Sequence, residues 1–124
     1  MKNTITLKYS DAQKFFRAYV DIIQPLLDIR PRESDILAQI LYINNEKKAI
    51  PETDRFGIIF STSSKKKMRE ALEINDSTLQ NSLSILRKKK IIVNNTIPTK
   101  YQVFITNNEL SVEYKLKLIN EVVQ

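Results

Sequence analysis

The spacing of apolar residues changes period several times along the chain, and each change marks an element. Residues 4–8, Thr-Ile-Thr-Leu-Lys, alternate polar and apolar. They predict a short strand or extended arm with Ile5 and Leu7 on one side. Ser10 followed by Gln13 reads as a capping box. After it, Phe15, Phe16, Tyr19, Ile22 and Ile23 recur at helical spacing, and Pro25 sets an expected end or kink near Gln24. Leu26, Leu27 and Ile29 form a connector. Pro31 suits the first turn of a second helix, with Glu33 and Asp35 near its positive end and Ile36, Leu37, Ile40 and Leu41 as its inward stripe. Asn44 and Asn45 mark its end.

Residues 46–55 are polar, contain Pro51 and read as a loop, and Gly57-Ile58-Ile59-Phe60 reads as a small buried strand. Ser61, Thr62 and Ser63 are good caps for a helix from Ser64 to Leu72 that buries Met68, Ala71 and Leu72. Asn75 or Asp76 caps the next helix, to about Lys89, whose Leu79, Leu83 and Leu86 give an i, i+4, i+7 stripe. Ile91–Val93 and Tyr101–Ile105 predict two strands, joined by a turn over 94–100. From about Leu110 to Val123, Val112, Leu116, Ile119 and Val123 predict a final helix. Its stripe either packs on the core or meets a second chain.

Composition narrows the chemistry. With no Cys, no His and one Gly in 124 residues, the chain lacks thiolate metal sites, the commonest general base and a glycine-rich phosphate loop. The carboxylate pairs Glu33 with Asp35 and Glu52 with Asp54 are two apart and do not share a helix face. The expectation is a protein that is not an enzyme and needs no cofactor and no metal. No run of about 18 apolar residues predicts a membrane span, and the first ten residues lack a signal-peptide core. A cytoplasmic location follows as an expectation, in a bacterial or phage-infected cell by the Lys-, Asn- and Ile-rich composition.

The net charge of +6 is unevenly placed. Residues 65–90 carry eight cations against Glu70, Glu73 and Asp76, a net +5, while the other 98 residues net +1. A short basic segment in a nearly neutral chain is the electrostatic footprint of a nucleic-acid contact. If the leucine stripe faces inward, the opposite side of that helix presents Ser77, Thr78, Gln80, Asn81, Ser84, Arg87 and Lys88, side chains suited to groove edges and phosphates. The expectation is that cations from Lys65–Lys67 and Arg87–Lys90 share one outer surface.

The order from Pro31 to Ile105 resembles a winged helix-turn-helix domain, most densely over Met68–Ile92. There the Ala71-Leu72 pair, Ile74 in the turn, the polar cap Asp76-Ser77-Thr78, the core positions Leu79 and Leu83, Leu86, the basic end Arg87–Lys90 and the apolar run Ile91–Val93 match the family's pattern. Two positions that are often Gly in that family are Glu73 and Lys90 here. The resemblance implies a mainly α fold with a small β-hairpin wing, extended by N- and C-terminal helices. The domain would span 1–124, with an extension over 1–29, a winged-helix core over 30–106 and a last helix over 107–124.

By the same resemblance the helix from Asp76 enters the major groove of double-stranded DNA, in transcription or replication control. Lys65, Lys66 and Lys67 would meet phosphates, and a wing tip over 94–100 would follow the backbone, with Lys100 its one cation. A homodimer, as for binding two half-sites, fits the flanking helices, with Val112, Leu116, Ile119 and Val123 as the interface. The competing reading is a winged-helix adaptor that contacts protein, such as a structural component of a virion, without sequence-specific DNA binding.

Overall fold

A computed structural model describes residues 11–105 and the backbone of 4–8 and 111–115. Its elements are β1 (Thr4–Lys8), α1 (Ala12–Leu27), α2 (Pro31–Glu46), α3 (Glu52–Ile59), α4 (Thr62–Leu72), α5 (Asp76–Lys88) and β2 (Ser111–Lys115), with a 3-10 turn at Thr99–Tyr101. No described helix is long and apolar enough to cross a membrane.

The α1–α2 pair is the most extensive helix packing. Phe15, Phe16, Tyr19, Val20 and Ile23 of α1 are buried, as are Ile36, Leu37, Ile40 and Leu41 of α2. Those positions recur every three or four residues, so each helix buries one stripe. Asp11 caps α1, its side chain accepting from the N–H groups of Gln13 (2.8 Å) and Lys14 (3.3 Å), in place of the expected Ser10. The helix also runs through Pro25. That proline is exposed and sits in the last turn, where it removes one hydrogen bond while Leu27 beyond it stays buried. Arg17 pairs with Asp35 across the two helices at 2.9 Å.

Residues 52–59 are helical rather than a loop followed by a strand. Glu52 and Asp54 favour the helix N-terminus, and Arg55, Phe56 and Ile59 are buried at helical spacing while Gly57 is exposed. Within the apolar run Gly57–Phe60 only Ile59 is buried; Gly57 and Ile58 face outward and Phe60, half-buried, ends the helix.

The β-hairpin wing is absent, so the winged architecture does not hold. Among the described residues the fold is mainly helical, and Ile91–Val93 and Tyr101–Ile105 form no strands. Ile91 and Ile92 both donate their N–H groups back to the Leu86 carbonyl, at 3.0 and 3.2 Å, which leaves neither for a ladder. A single bridge joins Val93 and Thr96 through two bonds of 2.9 and 3.0 Å. It closes a two-residue turn in which Asn94 and Asn95 both have positive φ, 53° and 55°, the pattern of a type I′ turn. Pairing stops there because Ile97 turns into the core and Pro98 has no N–H to donate.

Side chains replace the missing strand partner. Gln102 accepts from Asn44 (3.3 Å) and donates to the Ile97 carbonyl (2.8 Å). Asn45 accepts from the Ile105 N–H (2.8 Å), Lys48 donates to the Ile105 carbonyl, and Tyr19 donates to the Tyr101 carbonyl (3.1 Å). Arg55, buried, donates to Asn44 Oδ1 (2.6 Å) and to the Ile50 carbonyl (2.8 Å), with its guanidinium 5.6 and 5.4 Å from the Phe56 and Phe104 ring centres. Residues 97–105 are thus fastened onto α1, α2 and α3.

The terminal segments also depart from expectation. β1 and β2 pair antiparallel, Leu7 opposite Val112. Residues 111–115 are a strand, not the start of a helix, because Ser-Val-Glu-Tyr-Lys alternates with period two. Leu116, Ile119 and Val123 lie outside the described residues, so the helical interface stripe loses its first member, Val112, to β2.

Leu79, Leu83 and Leu86 are fully buried, at 0 % exposure, and α5 packs mainly on α2. Replacing Leu83 by Ala is expected to lower unfolding free energy by about 2–5 kcal/mol. Urea denaturation measures it, and a loss under about 1 kcal/mol would contradict this placement.

Candidate nucleic-acid interface

α4 and α5 are joined by three residues, Glu73, Ile74 and Asn75, and the sequence determines how that short link folds. Glu73 is left-handed (φ 54°), its N–H reaching the Glu70 carbonyl at 3.4 Å while the Ile74 N–H reaches Arg69 at 3.0 Å. This is the paired closure of a Schellman end, and Ile74 packs against the core beside it. Asn75 then caps α5, its side chain accepting from the Thr78 N–H at 2.8 Å. Arg69 ties the two helices by a 3.2 Å ion pair to Asp76. Ala71 is exposed, so it does not lie at the close approach of the helices as expected.

α5 ends by the same device. Lys90 is left-handed (φ 59°), with Lys90 N–H to the Arg87 carbonyl and Ile91 N–H to the Leu86 carbonyl, both 3.0 Å. Ile91 and Leu86 are both buried, which gives the apolar contact that accompanies this end. The helix ends after α4 and α5 thus both place a non-glycine residue, Glu73 and Lys90, in the left-handed region.

With the leucines inward, Ser77, Asn81, Ser84 and Lys88 follow at i, i+4, i+7 and i+11 along the opposite side, and all four are exposed. Arg87 is exposed on one flank with half-buried Gln80, and Thr78 is half-buried on the other. No carboxylate stands in that outward row. The one acid of α5, Asp76, is in its first turn and is paired with Arg69.

The remaining predicted contacts are less concentrated. Lys65 is half-buried, and Lys66 and Lys67 are exposed. Three consecutive helical residues spread about 200° around the axis. Lys66 points away from the buried Ser64–Met68 side, while Lys65 and Lys67 flank it, so the run does not make one face. Lys100 stands 5.2 Å from the Tyr101 ring centre in the segment fastened to α1 and α2. It is not the cation of a wing tip.

No known family, curated protein or solved structure matches the chain. Among the described residues no group of acidic side chains could hold a metal ion.

The basic end of α5 has a further partner that the sequence pattern did not reveal. Lys89 donates to Asp28 at 2.9 Å across the end of α1. Only the fold brings these residues together, 61 positions apart. The hydrogen bond and charge of Lys89 hold the Asp28 carboxyl below its ordinary range. A depressed carboxylate contributes stability above its unfolded pKa, lost as pH falls through its folded pKa. Lys89→Ala is expected to raise the Asp28 midpoint towards the ordinary aspartate value in an NMR titration. An unchanged midpoint would show that the pair is not formed.

The two left-handed ends give a second expectation. Glu73→Gly relieves a left-handed side chain and should raise stability by about 0.5–1 kcal/mol, after the extra chain entropy of Gly is counted. Destabilisation in urea would contradict the turn geometry.

Proposed function

We propose that the protein is a non-enzymatic, double-stranded DNA-binding protein that presents the outward face of α5 to the major groove. The observation that carries this reading is the exposed row Ser77, Asn81, Ser84 and Lys88, flanked by Gln80 and Arg87 and free of carboxylates. Serines let the helix approach closely, amides can pair with base edges, and Arg87 and Lys88 at the helix end suit phosphates. The Schellman turn and the Asn75 cap support it further, because a three-residue link between two helices is the form in which a recognition helix is commonly presented. The reading needs no wing.

Affinity for a DNA duplex should fall steeply with salt, and Arg87→Ala and Lys88→Ala should each reduce that slope by about one. Asn81→Ala should alter base preference more than affinity for random sequence. Salt-independent binding, or the wild-type slope in both cation variants, would refute the proposal and favour a protein partner for this face.

A further inference from the structure

A groove of about 410 Å³ opens between the α1–α2 joint and the last turn of α5. Asp28, Arg30 and Glu33 line it from the joint, and Ile85, Lys88 and Lys89 from α5. Three cations from two separate parts of the chain thus face one opening. Their neutralisation is unequal. Glu33 is buried and accepts from the backbone N–H of Arg30 at 3.1 Å. Asp28 is committed to Lys89 at 2.9 Å. Among the described residues Arg30 and Lys88 have no ion-pair partner.

The joint holds this arrangement in place. Asp28 is left-handed (φ 53°) and its N–H returns to the Gln24 carbonyl at 3.1 Å, while the Gln24 amide donates to the Ile29 carbonyl. Lys88 belongs both to the groove and to the outward row of α5, so the two surfaces are continuous.

We infer that this groove receives a backbone phosphate of the DNA bound at α5, with Arg30 and Lys88 as its donors, and that Asp28 is an internal competitor that withholds Lys89 from it. The inference rests on the proposed DNA reading. A phosphodiester fits the chemistry because the groove offers cationic donors at the end of a face already suited to DNA, and guanidinium pairs well with phosphate. The Asp28 side chain is 94 % exposed, so little burial opposes its release of Lys89. The competition restrains affinity: a duplex gains Lys89 only by displacing Asp28.

The test measures binding of a random-sequence duplex against salt concentration. Arg30→Gln is expected to reduce the slope by about one, and Arg30→Lys, which keeps the charge, to retain it. Asp28→Asn is expected to tighten binding and steepen the slope by about one, and Lys89→Ala to abolish that gain. If Arg30→Gln unfolds, the Asp28 and Lys89 variants decide. The inference is overturned by a wild-type slope in Arg30→Gln, or by an Asp28→Asn gain that persists with Lys89→Ala, which marks a general charge effect. If those variants are silent while Arg87→Ala still lowers the slope, only this inference falls. If the wild-type protein shows no salt-dependent duplex binding, the DNA reading falls with it.

Discussion

Burial of Leu79, Leu83 and Leu86 decides which side of α5 this protein presents outward. A helix rotates as a unit, so three leucines at 0 % exposure fix where every other side chain of α5 points. Turning the helix by one residue, about 100°, would expose a leucine and bury a polar residue. Burying a polar group without a partner costs about 1–3 kcal/mol. The outward row from Ser77 to Lys88 is therefore held in place by the core beneath it.

The ends of α5 convert that orientation into a defined surface. At one end Asn75 satisfies a free N–H and Arg69 neutralises Asp76, so the first turn presents little uncompensated negative charge. At the other, Lys90 takes up a left-handed backbone and Ile91 re-enters the core, which leaves Arg87 and Lys88 outside. Asp28 draws Lys89 away to the joint. The basic end is thus divided into cations that are free to meet an anion and one that is held, a division made by the fold.

The helices with long apolar stripes were legible in the sequence because periodicity reports burial directly. Pro31 opened α2, and Leu79, Leu83 and Leu86 faced inward. Glu73 and Lys90, which read as departures from a glycine pattern, adopt the left-handed backbone all the same. Less legible were the places where side chains do what backbone ladders were expected to do. Ile91–Val93 has strand-like composition, yet its first two N–H groups are used by the end of α5. Residues 97–105 are held by Asn44, Asn45 and Lys48, whose contacts to Gln102 and Ile105 span some 60 positions that no local pattern reveals. Arg55 read as loop polarity because two of its partners, Asn44 and the Phe104 ring, reach it only in the fold. The candidate site divided in the same way: α5 kept its expected face, whereas Lys65–Lys67 fanned around α4 and Lys100 left the interface with the missing wing.

The central claim is that the leucine-anchored outer row of α5 is the surface that meets DNA. Backbone amide shifts recorded by NMR during titration with a DNA duplex test it most directly. The account predicts that the largest changes cluster at Ser77, Asn81, Ser84, Arg87 and Lys88, with small changes along α3. Changes centred on α3 or on residues 97–105, with α5 unperturbed, would contradict it.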